Sequence, residues 1–195
     1  MEAEKRLIEN IHETGILTVD PRSFSDGFYL FYLLPESATD VVAVILQRVT
    51  RGGDGMTTAQ FNLPLSMAER LGVPNTKRRV SSLVMQHSSG VAFFSLVPDA
   101  GLIVTVYVDV GFLATQRFFK GRFMASSDSG VMARVGRNCA FERLGNTKAA
   151  AFAARPRLGF KFLEDVPVPV RNLMSGGDPD QHTAAPASYL KSRHG

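Results

Sequence analysis

Three consecutive apolar-rich runs constrain the fold of this chain more than any other feature. They cover residues 80–87, 90–97 and 102–110, and short turn-forming segments rich in Ser, Gly, Pro and Asp separate them. In the third run every second residue is valine: Val104, Val106, Val108 and Val110. Because side chains of a strand alternate between its two faces, this pattern predicts a meander of strands with one buried face.

Other segments extend the β prediction along the chain. Strands are predicted over residues 16–19, 27–34, 41–50, 57–63, 117–124 and 157–163. Helices are predicted over residues 2–14, 66–71 and 148–155. Thr147 is suited to begin the last of these helices, since its hydroxyl can accept a hydrogen bond from a free backbone N–H. Residues 131–143 favour neither a strand nor a helix.

The predicted fold class is mainly β, with a sandwich or jelly-roll-like sheet core, an N-terminal helix and one or two short internal helices. We expect residues 1–173 to form a single β-rich domain, for which the 195-residue chain offers enough core. Residues 174–195 are rich in Gly, Asp, Pro, Ala and Ser, which predicts a disordered C-terminal tail.

The segment from residue 117 to residue 161 concentrates the positive charge of the chain. It holds ten basic residues and two acidic ones, a net charge of +8, so the rest of the +4 chain carries −4. Six phenylalanines lie among these basic residues: Phe118, Phe119, Phe123, Phe141, Phe152 and Phe160. Such a lopsided charge distribution is typical of a protein that meets a polyanion.

We therefore predict that this segment binds single-stranded nucleic acid without catalysis. Lysine and arginine neutralise phosphates, and bases stack on aromatic rings with little regard to sequence. The residues predicted to contact phosphates are Arg117, Lys120, Arg122, Arg134 and Arg137. Phe119 or Phe123 is predicted to stack on a base if its ring is exposed.

Residue patterns typical of catalytic and metal sites do not occur in the sequence. The four histidines are far apart and none has a cysteine or carboxylate at ligand spacing. The chain has neither a phosphate-binding glycine-rich loop nor a nucleophile elbow. Its one cysteine, Cys139, fits a reducing compartment and is interpreted as a buried structural thiol. We expect no cofactor, no metal and no catalytic residue.

The location predicted for the protein is intracellular. The amino-terminal residues are charged and do not form a signal peptide, so we expect no secretion. No apolar stretch approaches the ~20 residues that a transmembrane helix needs.

Two short segments carry a resemblance to a known family. Residues 89–99 read Ser-Gly-Val-Ala-Phe-Phe-Ser-Leu-Val-Pro-Asp, a glycine-led strand that ends in Asp99. Residues 162–171 contain the sequence Glu-Asp-Val-Pro. Both segments resemble the movement proteins of plant viruses, the superfamily typified by the tobamoviruses.

The resemblance implies a jelly-roll-like core, cooperative binding of single-stranded nucleic acid and targeting to plasmodesmata. It implies that Asp99 is structural or required for movement rather than catalytic. An alternative is a viral matrix-like or capsid-like structural protein that binds an anionic membrane or RNA. A small enzyme of unknown class is the third hypothesis. The predicted partners are single-stranded RNA or DNA, an anionic membrane surface and further copies of the chain.

Overall fold

In the computed structural model, which describes residues 24–34, 40–52, 57–87, 90–109, 116–127 and 137–175, nine strands form one antiparallel sheet. The strands are β1 (Gly27–Leu33), β2 (Val41–Arg51), β3 (Thr57–Asn62), β4 (Arg79–His87), β5 (Gly90–Val97), β6 (Leu102–Asp109), β7 (Phe118–Ser127), β8 (Arg137–Gly145) and β9 (Gly159–Phe162). The helices are α1 (Leu65–Arg70), α2 (Lys148–Ala153) and α3 (Val168–Met174).

The first eight strands close into an up-and-down barrel. From β1 to β8 every strand pairs with the next one along the chain, and β1 also pairs with β8, where Phe31 lies opposite Phe141. The short strand β9 pairs with residues 41–44 of β2, on the same edge where β3 pairs with residues 47–51. The prediction of a sandwich or jelly-roll-like core was therefore wrong. Period-2 patterns specify two-faced strands, whereas the closure depends on pairing between β1 and β8, which lie far apart in the chain.

The interior of the barrel is apolar and rich in aromatic rings. Val104, Val106 and Val108 face inward, which confirms the buried face predicted for the third run. The rings of Phe31 and Phe141 stack with centroids 4.6 Å apart. Val110 lies outside the described residues. Burial of these side chains and their ring contacts supply the main stabilisation of the barrel.

The segment after β8 folds back over the outer surface of β1, β2 and β8. Its side chains Ala154, Val166, Val170 and Leu173 pack in a second apolar cluster with outward-facing residues of those strands. The helix predicted over residues 148–155 is confirmed over Lys148–Ala153, and Thr147 caps it as predicted: its Oγ1 accepts a hydrogen bond from the Ala150 N–H at 3.2 Å. This second layer explains why residues on the outer face of β8 can be buried.

The described helices are internal or near the C-terminal end of the described chain. The N-terminal helix predicted over residues 2–14 and the strand over 16–19 lie outside the described residues. The helix α3 was not predicted. The described chain continues through this helix to Ser175. Residues 176–195 of the predicted tail lie outside the described residues. No helix within the described ranges has both the length and the apolar character needed to cross a bilayer.

Candidate nucleic-acid interface

Glu142 of β8 is one of the two acidic residues in the basic segment, residues 117–161. Along β8 the residues Cys139 and Phe141 face the barrel interior, so Ala140 and Glu142 face outward beneath the C-terminal layer. The side chain of Glu142 is only 1% exposed. A buried carboxylate is tolerated when charged and hydrogen-bonding partners surround it.

Three side chains supply those partners. The Tyr32 hydroxyl donates to Glu142 Oε2 at 2.7 Å, and Arg117 Nη2 donates to Oε1 at 2.7 Å. Arg157 Nη1 donates to Oε1 at 3.3 Å, and its Nη2 donates to both Oε2 and the Tyr32 hydroxyl. We call these four residues the Glu142 network. Both carboxylate oxygens are therefore satisfied.

The contacts of the network hold Glu142 in its charged form. Burial by itself favours the protonated acid, but hydrogen bonds from Arg157, Tyr32 and Arg117 outweigh it and lower the pKa of Glu142. Burial, and then the hydrogen bond to Glu142, raises the pKa of Tyr32. Burial disfavours the charged form of Arg157, yet its hydrogen bond to Glu142 keeps the pKa of that guanidinium raised. Two guanidinium groups thus share one carboxylate, which leaves the network with a net positive charge.

A concave pocket of about 420 Å³ adjoins the Glu142 network. Three arginines line it, Arg117, Arg143 and Arg157, and we call it the arginine pocket. The other lining residues are small or apolar: Leu144, Ala150, Ala153 and Ala154. Short alanine side chains from α2 leave room beside the guanidinium groups.

Arg143 is the third arginine that lines the arginine pocket. Its Nη2 lies 3.4 Å from Asn146 Oδ1, and its buried Nε has no hydrogen-bond partner among the described residues. Buried donors are normally satisfied by protein or water. Alternation along β8 puts the Arg143 side chain on the same face as Cys139 and Phe141, and Arg143 lies opposite Tyr29 of β1.

The helix α2 presents an exposed aromatic ring near the arginine pocket. Phe152 is 67% exposed, and the guanidinium carbon of Arg155 lies 4.9 Å from the centroid of its ring. Ala150 and Ala153 on the same helix line the pocket. One short helix therefore carries both a wall of the pocket and an aromatic surface suited to stacking.

The structure places only part of the predicted phosphate-contact set on one surface. Arg117 lines the arginine pocket. Lys120 and Arg122 lie on the outer face of β7, opposite Ala140 and Asn138 of β8. Arg122 is exposed and Lys120 is half-buried.

The remaining two predicted phosphate-contact residues are elsewhere. Arg134 lies outside the described residues. Arg137, the first residue of β8, lines a different cavity inside the barrel. The set predicted as one surface is therefore divided between the outside and the inside of the barrel.

Neither of the two phenylalanines predicted to stack on a base has an exposed ring. Phe119 is 3% exposed and packs in the barrel interior, and Phe123 is half-buried and lines the interior cavity. Alternation on β7 puts both rings on the inner face and Lys120 on the outer face. Phe152 was not predicted to stack on a base. The sequence did contain a signal for it: Phe152 lies three residues before Arg155 in a short alanine-rich segment, which has little apolar surface to cover the ring.

The other residues singled out from the sequence lie away from the arginine pocket. Asp99 is in a 3-10 turn after β5, and Lys77 Nζ donates to its Oδ1 at 2.9 Å. Cys139 is fully buried in the barrel, where burial raises the pKa of its thiol. Within the described ranges, no three His, Cys, Asp or Glu side chains gather closely enough to hold a metal ion.

Comparison of the chain with protein-family models, curated protein sequences and solved structures finds no match. The resemblance to plant-virus movement proteins therefore stays a prediction.

Proposed function

We propose that this protein is a non-catalytic single-stranded nucleic-acid-binding protein. One observation carries the proposal: the arginine pocket and the exposed ring of Phe152 share the helix α2. A backbone phosphate in the pocket is neutralised by guanidinium groups. A base attached to that nucleotide then stacks on Phe152 beside Arg155.

Single strands fit this site better than duplexes. In a duplex the faces of the bases are stacked on one another, so an aromatic side chain reaches them only after a base is displaced. Lys120 and Arg122 on the outer face of β7 extend the basic surface beyond the pocket. Backbone neutralisation and stacking carry little sequence information, so we expect weak sequence preference.

Within this function we propose the narrower role of a viral cell-to-cell movement protein that acts inside host cells. The support for that role is the resemblance of residues 89–99 and 162–171 to the tobamovirus-type family. The unpaired, buried thiol of Cys139 is compatible with a reducing compartment.

The test is fluorescence anisotropy with labelled single-stranded RNA and a duplex of the same sequence. We expect Phe152→Ala to weaken single-strand binding by roughly 5- to 150-fold, the loss typical of one stacking contact. Phe162→Ala is the matched control, since that ring is 58% exposed but lies beside Asp40 and Glu164. Equal affinities of wild type and Phe152→Ala for the single strand would contradict the proposal.

A second candidate function rests on an exposed apolar face of the barrel. The side chains Phe94, Leu96, Ile103 and Met124 are exposed on the outer faces of β5, β6 and β7. They are neighbours, because Leu96 pairs with Ile103, and Phe94 and Met124 both lie opposite Thr105. Arg122 is on the same outer face. Apolar side chains beside a basic one are suited to an anionic membrane surface, as in a matrix-like protein.

Liposomes separate the two candidates. If the membrane is the partner, phosphatidylserine liposomes bind the wild type, and the double variant Leu96→Ser, Ile103→Ser loses that binding while it retains RNA affinity. Liposome binding without RNA binding would replace the first proposal with the second.

A further inference from the structure

The barrel contains a cavity that the proposed nucleic-acid interface does not use. It has a volume of about 250 Å³ and lies at the end of the barrel where α1 packs. Apolar side chains from the strands and from Met67 of α1 line it, among them Phe31, Ile45, Phe61 and Phe123. We call it the barrel cavity. The apolar walls disfavour a phosphodiester backbone, because each buried phosphate would lose its hydration along them.

The size of the barrel cavity suits a small apolar group. An eight-stranded barrel has an interior that is either filled by side chains or wide enough for one small ligand. Both situations occur here: Phe24, Phe93 and Phe141 fill part of the interior with packed rings, and the barrel cavity occupies another part. An apolar cavity of about 150 Å³ already holds a benzene-sized molecule, so this one accepts a longer hydrocarbon.

Basic residues are the charged residues in the described lining of the barrel cavity. Two of its lining residues are charged, and both are arginines: Arg70 in the last turn of α1 and Arg137 at the start of β8. Arg70 is exposed and Arg137 is half-buried, so the charged groups mark the side of the cavity that reaches solvent. Both arginines also interact with other groups of the protein. The lining therefore combines an apolar interior with a cationic entrance.

We propose that the barrel cavity binds a single-chain fatty acid, with the hydrocarbon chain inside the barrel and the carboxylate at Arg70 and Arg137. A carboxylate matches the two parallel N–H donors of a guanidinium group. One chain, rather than two, fits the volume of the cavity. This inference uses residues separate from the arginine pocket, so it stands or falls independently of nucleic-acid binding.

Calorimetric titration of the full chain with decanoate, dodecanoate and decanol tests the proposal. Each additional buried methylene strengthens binding about fourfold, so dodecanoate should bind about 15-fold more tightly than decanoate. Decanol has the same chain as decanoate but no charge, and we expect it to bind more weakly. Equal affinities for decanoate and decanol would overturn the role of the arginines, and no binding of any of the three would overturn the proposal.

Two pairs of variants locate the site. The double variant Arg70→Gln, Arg137→Gln should lose the preference for decanoate over decanol and keep its affinity for decanol. Ala125→Phe fills the barrel cavity and should abolish binding of both, whereas Ala92→Phe makes the same change on the outer face of β5 and should leave binding intact. Decanoate binding that survives in Ala125→Phe would contradict the proposal.

If Ala125→Phe fails to fold, thermal unfolding of the other proteins still tests the proposal. The proposal is then tested by the comparison of decanoate with dodecanoate on the wild type and by the arginine double variant. We expect that double variant to fold, since Arg70 is exposed and Arg137 is half-buried. Dodecanoate should raise the Tm of the wild type more than that of the double variant. The variant Phe152→Ala should bind decanoate as the wild type does, which separates this site from the nucleic-acid interface.

Discussion

The buried carboxylate of Glu142 links the stability of the fold to the geometry of the arginine pocket. Arg117 and Arg157 line the pocket and both bond to this carboxylate. Fixing two long cationic side chains on one anion reduces the entropy that they lose when an anion binds. Glu142 is thus a positioning residue for the pocket, and it is buried beneath the C-terminal layer.

We expect Glu142→Gln to lower the free energy of unfolding by about 1–3 kcal/mol at neutral pH. The neutral amide leaves two arginines without their counter-charge. The resulting loss of stability is limited because both arginines reach solvent. Urea unfolding measures the change, and Glu164→Gln at an exposed position is the control. If Glu142→Gln unfolds at the same urea concentration as the wild type, the Glu142 network makes no net contribution to stability.

The same carboxylate predicts a dependence of stability on pH. The network lowers the pKa of Glu142 in the folded protein, so its stabilisation is complete above the unfolded value of about 4.3. As the pH falls through the folded pKa the carboxylate is protonated and the stabilisation is lost. The difference in unfolding free energy between wild type and Glu142→Gln should be constant near pH 6–7 and shrink below about pH 4. A difference that grows on acidification would contradict the assignment.

At the scale of elements, the pairing of β7 with its two neighbours depends on one glycine. Gly121 lies opposite Val108 of β6 and Cys139 of β8. A Cβ at this position would lie 2.8 Å from the Tyr107 carbonyl oxygen and 2.9 Å from Cys139 Sγ. The strands approach each other too closely here for a larger residue.

We expect Gly121→Ala to destabilise the protein by about 1–3 kcal/mol through this overpacking. The second substitution Cys139→Ala removes one of the two clashing atoms and leaves the Tyr107 carbonyl in place. The double variant should therefore be more stable than the sum of the two single losses predicts, which a double-mutant cycle in urea measures. Strict additivity would show that Cys139 Sγ does not limit the space at Gly121.

At the scale of the whole molecule, the proposed nucleic-acid binding predicts that the position of the basic residues matters more than their total charge. Lys120 and Arg122 lie on the outer face of β7, on the strand that follows Arg117. Under the proposed function, a single strand that bound in the arginine pocket and continued along β7 would contact both side chains. Neutralised phosphates release counterions, so each contact adds to the salt dependence of binding.

Reversing both charges, Lys120→Glu with Arg122→Glu, should weaken RNA binding alike for all sequences. The slope of log K against log salt concentration should become shallower by roughly 0.7 for each phosphate that the variant no longer neutralises. Arg48→Glu with Arg79→Glu makes the same change in net charge at another pocket of the barrel surface. Equal effects of the two double variants would mean that only the net charge matters.

The strands and the charge asymmetry were predictable from local sequence. The predicted runs agree with β1 to β7 and β9 to within a few residues, because alternation of apolar residues and turn-forming residues are local signals. β8 was missed as a strand because residues 131–143 carry basic and small residues that disturb the alternation. The concentration of basic residues is a property of composition, so it needed no structure.

Tertiary structure alone decided how these strands and charges are arranged. Whether the meander closes depends on pairing between β1 and β8, more than a hundred residues apart in the chain. Which face of β7 turns inward then separates the interior Phe119 from the outer Lys120. The return of the C-terminal segment over β8 buries Glu142 and brings Arg157 beside Arg117. Such contacts arise from packing between distant segments, and no local pattern encodes them.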